Sequence, residues 1–299
     1  MASPLKNTLA AFFSQALFKA LSIFPLGAHH AIGSLIGRLL FIFKNRNKHI
    51  AEVNIDICFP RLDDREKTQL LKKTLRENGK TLIECFWLWR HPQQVLGSLS
   101  GSIHNEHVLK QAGKQGSLFV TPHFGSWEFI GLLTASHSNL LILYTPPKSA
   151  YVDMLSCQGR SSTGGKVLST TNLNARQLIK HVKSGGSIGI LPDQVPDGNG
   201  GCYSQFYGRK AYTSTLVCKL ANKLRCPVIF CYALRNSKIP PRYDAYYYEA
   251  PDEIYSDDIS IGTDALNKCI ESYINTRPEQ YLWGYKRFKK PAAGVKNPY

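Results

Sequence analysis

The sequence predicts an α/β fold: a mainly parallel mixed sheet flanked by helices, with amphipathic helices at the N-terminus. Three observations predict it. Short apolar runs alternate with helical patterns from about residue 117 onward, two apolar stripes at helical spacing precede residue 45, and a long helical pattern covers 62–96.

The N-terminal stripes come first. Leu9, Phe12, Phe13, Ala16, Leu17, Ala20, Leu21 and Phe24 recur at i, i+3, i+4 and i+7, one face of a helix. Pro25 and Gly27 break that helix, and Ile32, Leu35, Ile36, Leu39, Leu40 and Phe43 repeat the pattern. Gln15 and Lys19 lie off the first stripe, Ser34 and Arg38 off the second, so neither run supplies the ~20 apolar residues of a comfortable span. Lys19 and Gln15 also argue against a secretory signal. The functional reading is membrane-anchoring helices that lie in or dip through an interface, with Lys44, Arg46, Lys48 and His49 toward anionic head groups. A soluble hairpin covering the core and a marginal single span compete with it. Residues 1–50 are therefore expected to be membrane-associating helices and 51–299 one α/β domain.

Within 62–96, Asp63 or Asp64 can cap a helix, and Leu70, Leu71, Leu75, Leu82, Phe86 and Trp89 give it an apolar face. Beyond it, 117–121 (SLFVT), 140–144 (LLILY), 187–191 (SIGIL) and 227–233 (PVIFCYA) read as buried strands. Helical patterns fit around 127–136, 174–184 and 213–225. The segment shows no internal repeat and no low-complexity linker.

The 299 residues can bury a proper core, and 43% hydrophobic with 19% charged residues excludes both a disordered chain and a polytopic membrane protein. Lysine and arginine number 37 against 21 acidic residues, a formal +16 that points to an anionic partner. The eight cysteines are scattered through apolar segments without a Cys-x-x-Cys pair, so reduced structural thiols are expected and no metal site is.

The chemistry concentrates in 117–131, SLFVTPHFGSWEFIG. A strand ends, His123 follows, Gly125 and Ser126 make a break, and Trp127 starts a helix with Ser126 as candidate N-cap and Glu128 in the first turn. On one continuous helix His123 and Glu128 would point ~140° apart; the glycine turn lets them meet. A carboxylate holding one imidazole nitrogen leaves the other free to take a proton from a substrate hydroxyl. Strand end, glycine turn and helix start form an active-site elbow at the carboxyl edge of the sheet.

The block HFGSWE resembles the His-x4-Asp/Glu hallmark of the bacterial lipid A late acyltransferases, the lauroyl and myristoyl transferases of the lysophospholipid acyltransferase superfamily. Further blocks follow in that family's order: LYTPP at 143–147, QGR at 158–160, LPDQ at 191–194, QFYG at 205–208 with Thr213, and PEQYLWGYKRFK at 278–289. Asn54 and the CFP at 58–60 fit its N-terminal pattern. The resemblance covers roughly residues 9 to 290. Thr145 and Gln158 depart from it where the family usually carries arginine, as does 284–285 (GY), a place that often holds histidine.

The resemblance implies transfer of a fatty acyl chain from an acyl carrier protein thioester to a hydroxyl of a phosphorylated glycolipid, a lipid A precursor, at the cytoplasmic face of a bacterial inner membrane, without a cofactor. His123 would be the general base and Glu128 its orienter. Arg160 would stabilise the oxyanion or contact a phosphate, or else be a solvated loop residue. Asp193 could position Arg160 or a helix terminus, or make a turn with Pro192 and Gln194. Arg287, in an aromatic-rich segment, could bind a lipid phosphate or seal the C-terminal edge. One basic surface would serve acidic carrier, phosphorylated lipid and anionic bilayer. Competing readings are another lipid acceptor (a lysophospholipid, an ornithine lipid or a glycolipid), a nucleic-acid-binding protein, and an inactive membrane scaffold. The nucleic-acid reading is disfavoured because the basic residues do not alternate with exposed aromatics on one element.

Overall fold

The structure is a computed structural model that describes residues 23–236 and 240–299, apart from the side chain of residue 172. In chain order the elements are α1 (Leu26–Ile42), α2 (Arg46–Cys58), α3 (Asp64–Arg90), α4 (Pro92–Leu96), β1 (Ser100–His104), α5 (Glu106–Ala112), β2 (Leu118–Val120), α6 (Trp127–Ala135), β3 (Leu140–Tyr144), α7 (Ala150–Ser161), β4 (Lys166–Ser169), α8 (Ala175–Lys183) and β5 (Ser187–Ile190). They continue as β6 (Gly201–Phe206), β7 (Arg209–Ser214), α9 (Leu216–Leu224), β8 (Val228–Arg235), β9 (Tyr243–Glu249) and α10 (Ile259–Ile274).

Seven strands form one sheet in the order β1-β9-β8-β2-β5-β3-β4, while β6 and β7 make a separate antiparallel hairpin. All pairs of the large sheet are parallel except β8–β9. The mixed, mainly parallel sheet is thus the predicted one. Its central strands β2, β5 and β8 are buried on both faces, which is why they read as unbroken apolar runs.

Successive strand residues serve opposite layers. Leu118 and Val120 pack with Leu178 of α8, Val217 and Leu220 of α9, and Ile270 of α10. Phe119 packs on the other face with Leu109 of α5 and Phe129, Ile130 and Leu133 of α6. Asp63 caps α3 in a reciprocal capping box with Glu66, as the acidic start of that helix suggested.

The first expected stripe, Leu9 to Leu21, lies outside the described residues. The second is α1, but its buried face is Leu26, His29, Gly33, Ser34 and Gly37, while Leu35, Leu39, Ile42 and the following Phe43 are exposed. Small residues face inward because α1 crosses α3 at backbone contact: a Cβ on Gly33 or Gly79 would overlap the other's carbonyl. Among the described residues no single helix is long and apolar enough to cross a membrane.

Candidate active site

β2 and β5 are parallel neighbours, so the turns that follow them leave the same edge of the sheet. His123 and Asp193 each stand three residues beyond their strand. Asp193 accepts hydrogen bonds from the backbone N–H of His123 at 2.9 Å and from its ring Nδ1 at 2.8 Å. Nδ1 is therefore the protonated nitrogen and Nε2 keeps its lone pair. The side-chain amide of Gln194 approaches that Nε2 at 3.2 Å. Asp193 is buried; burial alone would raise its carboxyl, but its pairing with His123 outweighs that and holds it below the ordinary value.

The elbow that carries His123 is clamped from the rest of the chain. Gly125 adopts φ 62°, and a Cβ there would overlap the Ala233 carbonyl. Gly125 N donates to Gln280 O at 3.0 Å, Ser126 N to Ala233 O at 2.8 Å, and Leu282 N to His123 O at 3.0 Å. Behind it lies a buried charge network that sequence reasoning missed. Arg235 donates to Gly125 O at 3.1 Å and pairs with Glu84 at 2.6 Å and Glu77 at 3.0 Å. Tyr243 and His30 also bond Glu84, each at 2.8 Å. No local motif announces partners 151 positions apart. Ser126 takes the N-cap position of α6 without a side-chain capping bond.

Glu128 belongs to a second assembly. Arg160 grips its carboxylate through Nη2 at 2.5 Å and Nε at 3.0 Å, and Trp89 Nε1 donates to it at 2.7 Å. Burial would raise the Glu128 carboxyl, and Arg160 overrides that to leave it below the ordinary value. The two carboxylates thus have the partners expected of each other: Glu128 does not orient His123, and Asp193 does not position Arg160. The reason is topological. Glu128 sits in the first turn of α6, between α3 and the last turn of α7, whereas the end of β5 lies beside the end of β2.

Arg287 has two expected roles, a lipid-phosphate contact or a seal on the C-terminal edge. It is 2% exposed and donates to Tyr212 O at 2.8 Å and Thr213 Oγ1 at 2.7 Å, with its guanidinium over the Phe206 ring. It seals the β6–β7 hairpin against the C-terminal segment, the second of those roles, and is not among the residues that line the cavity beside His123.

His123, Glu128, Arg160 and Gln194 line one cavity of about 690 Å³. Tyr144 and Thr145 line it as well; Phe119, Ile130, Leu140 and Ile142 give it an apolar wall, and Asp197, Thr215 and Lys219 add polar groups. Gly189 of β5 lines it too, and a Cβ there would meet Leu140 and Ile142 only at ordinary contact distances of 3.6–3.8 Å. An imidazole presenting Nε2, contacted by the Gln194 amide, and a gripped guanidinium thus line one chamber with an apolar wall, an arrangement suited to deprotonating a hydroxyl beside an apolar chain.

The model of the bacterial lipid A biosynthesis acyltransferase family matches residues 4–290. The chain is 25% identical to a lipid A biosynthesis palmitoleoyltransferase of Escherichia coli (strain K12), over 90% of this chain and 87% of that one. It is 23% identical to a lipid A biosynthesis lauroyltransferase of the same strain, over 92% and 90%. With a lipid A biosynthesis myristoyltransferase, again from that strain, the identity is 20% over 97% and 90%.

Proposed function

The chain belongs to the bacterial lipid A biosynthesis acyltransferase family, and we propose a specific reaction for it. An acyl carrier protein thioester donates a fatty acyl chain to a hydroxyl of a phosphorylated lipid A precursor, with His123 as general base. The observation that carries this reading is the placement of His123: its Nδ1 is tied to Asp193 while its ring borders a cavity of about 690 Å³ with an apolar wall.

In this reaction the acceptor hydroxyl attacks the thioester carbonyl as its proton passes to His123 Nε2. Asp193 holds the imidazole in that tautomer and stabilises the imidazolium that forms. The carbonyl oxygen becomes an oxyanion, met by N–H donors of Arg160 or Gln194, which both line the cavity. The C–S bond then breaks and the imidazolium returns the proton to the departing thiolate, leaving an ester and a free carrier thiol. Glu128 keeps Arg160 in place through a two-point grip. The thioester and these side chains suffice, so the reading calls for no cofactor.

Attachment to the cytoplasmic face of the inner membrane is part of the proposal. Its support is α1, whose exposed Leu35, Leu39 and Ile42 form an apolar strip beside the exposed cations Arg38, Lys44 and Arg46.

The test is an assay of the purified full chain with dodecanoyl-acyl carrier protein and a lipid A precursor, read by mass spectrometry. The expected product is the precursor carrying one added acyl chain, absent with His123→Ala. Full transfer by that variant, or no acylated precursor from the unaltered protein, overturns the reading.

A further inference from the structure

We propose that a basic depression between α8 and α9 is the docking surface for the acidic carrier protein; this rests on the thioester donor assigned above. The depression, of about 570 Å³, is lined by Arg176, Lys180, Lys183 and Lys223, with Ile179 and Ser184 between them. All four cations are exposed. Among the described residues none of them pairs with a carboxylate, whereas the exposed Lys110 and Arg225 both do. Neither α8 nor α9 contains an acidic residue.

Helix dipoles account for part of this pattern. Lys180 and Lys183 lie in the last turn of α8 and Lys223 in the last turn of α9, where cations are favoured. They do not account for Arg176, which stands in the first turn of α8 against the dipole, nor for the convergence of both helices' cations on one concavity.

Position supplies the link to chemistry. Lys219 precedes Lys223 by four residues on α9, about 6 Å along the helix, and lines the reaction cavity together with Leu216 and Thr215. The basic face therefore runs from the depression to the lining of the cavity. A protein held there by its negative charge would present a tethered thioester to the cavity.

The surface fits a soluble acidic protein better than a bilayer. Every exposed large hydrophobic side chain lies elsewhere; none is on α8 or α9, and the apolar strip belongs to α1. Charge without apolar insertion steers and orients a water-borne partner.

The experiment compares the full chain with the variant Lys180→Glu/Lys183→Glu/Lys223→Glu, using dodecanoyl-acyl carrier protein and dodecanoyl-pantetheine, the same thioester without the protein. In the variant KM for the carrier thioester should rise on the order of 30-fold at low salt, with kcat within about twofold. Use of the pantetheine thioester and the melting temperature should be unchanged. An unaltered KM for the carrier thioester overturns the docking surface while leaving the donor standing. Equal damage with both thioesters overturns it too, as does loss of binding to anionic vesicles with the carrier KM unaltered. Failure of the unaltered chain to use the carrier thioester at all refutes the donor and the surface together.

Discussion

Asp193 accepts two hydrogen bonds from His123, one from its ring and one from its backbone, so a single carboxylate fixes both the tautomer and the position of the imidazole. Replacing Asp193 by Asn removes the preference for the Nδ1-protonated form. The expected outcome is a fall in kcat on the order of 10³ to 10⁴, with KM within about threefold. Steady-state kinetics over saturating acceptor check it; a kcat within tenfold of the original sinks the assigned role.

Glu128→Gln should act chiefly on stability and on Arg160. It strands a guanidinium whose side chain is only 20% exposed, and breaking such a pair costs about 3 kcal/mol. The double change Glu128→Gln/Arg160→Met should regain most of that stability while staying inactive. Denaturant unfolding of both variants measures the coupling, and strict additivity would contradict the pairing.

Buried Glu84 gives a pH prediction with a definite sign. Burial pushes its carboxyl up, but Arg235 and His30 outweigh that and bring it from 4.5 to about 2. A depressed carboxyl stabilises the fold fully above about pH 4.5, and the benefit drains away as pH falls toward 2. The stability gap between the unaltered chain and Glu84→Gln should be on the order of 3 kcal/mol larger at neutral pH than at pH 2. Unfolding free energies from pH 7 down to 2 report it; a gap that stays constant or widens in acid rules out the ionised network.

Gly189 offers a handle on acyl chain length. It lines the apolar part of the cavity, and space for a Cβ exists beside Leu140 and Ile142. Gly189→Val should fill part of that space and shift preference toward shorter chains, with about 1–3 kcal/mol of discrimination against the longest. Competition between carrier thioesters of graded length, resolved by product mass, decides it. An unchanged product distribution means that the chain lies elsewhere.

Much of the scaffold could be read before any coordinates. The strands seen as 117–121, 140–144, 187–191 and 227–233 are β2, β3, β5 and β8, legible because burial on both faces leaves continuous apolar runs. β1 (SGSIH) and β9 (YDAYYYE) escaped notice because a sheet edge and its neighbour carry polar and aromatic residues that spell no such run. His123, Glu128, Arg160, Asp193 and Gln194 all stand out in the sequence as candidates and the structure brings them together, yet the pairing of carboxylates was not foreseen. Spacing along the chain says that His123 is near Glu128. Only strand order says that β5 lies against β2, with two strands and three helices passed over in between. Arg287 keeps two roles in the sequence for a related reason: nothing in its aromatic neighbourhood distinguishes a cation facing a lipid from one enclosed by a hairpin.

The clasp on the elbow also bears on how the protein is made. The turn at 123–126 is tied to residues 233, 280 and 282, so during synthesis the sheet's first central strand must wait for more than half of the chain to leave the ribosome. Until then the histidine sits on an open loop and no reaction chamber exists. Biosynthetic arrest at successive lengths, followed by protease digestion, should find that turn cleavable until the stretch around 280 has emerged.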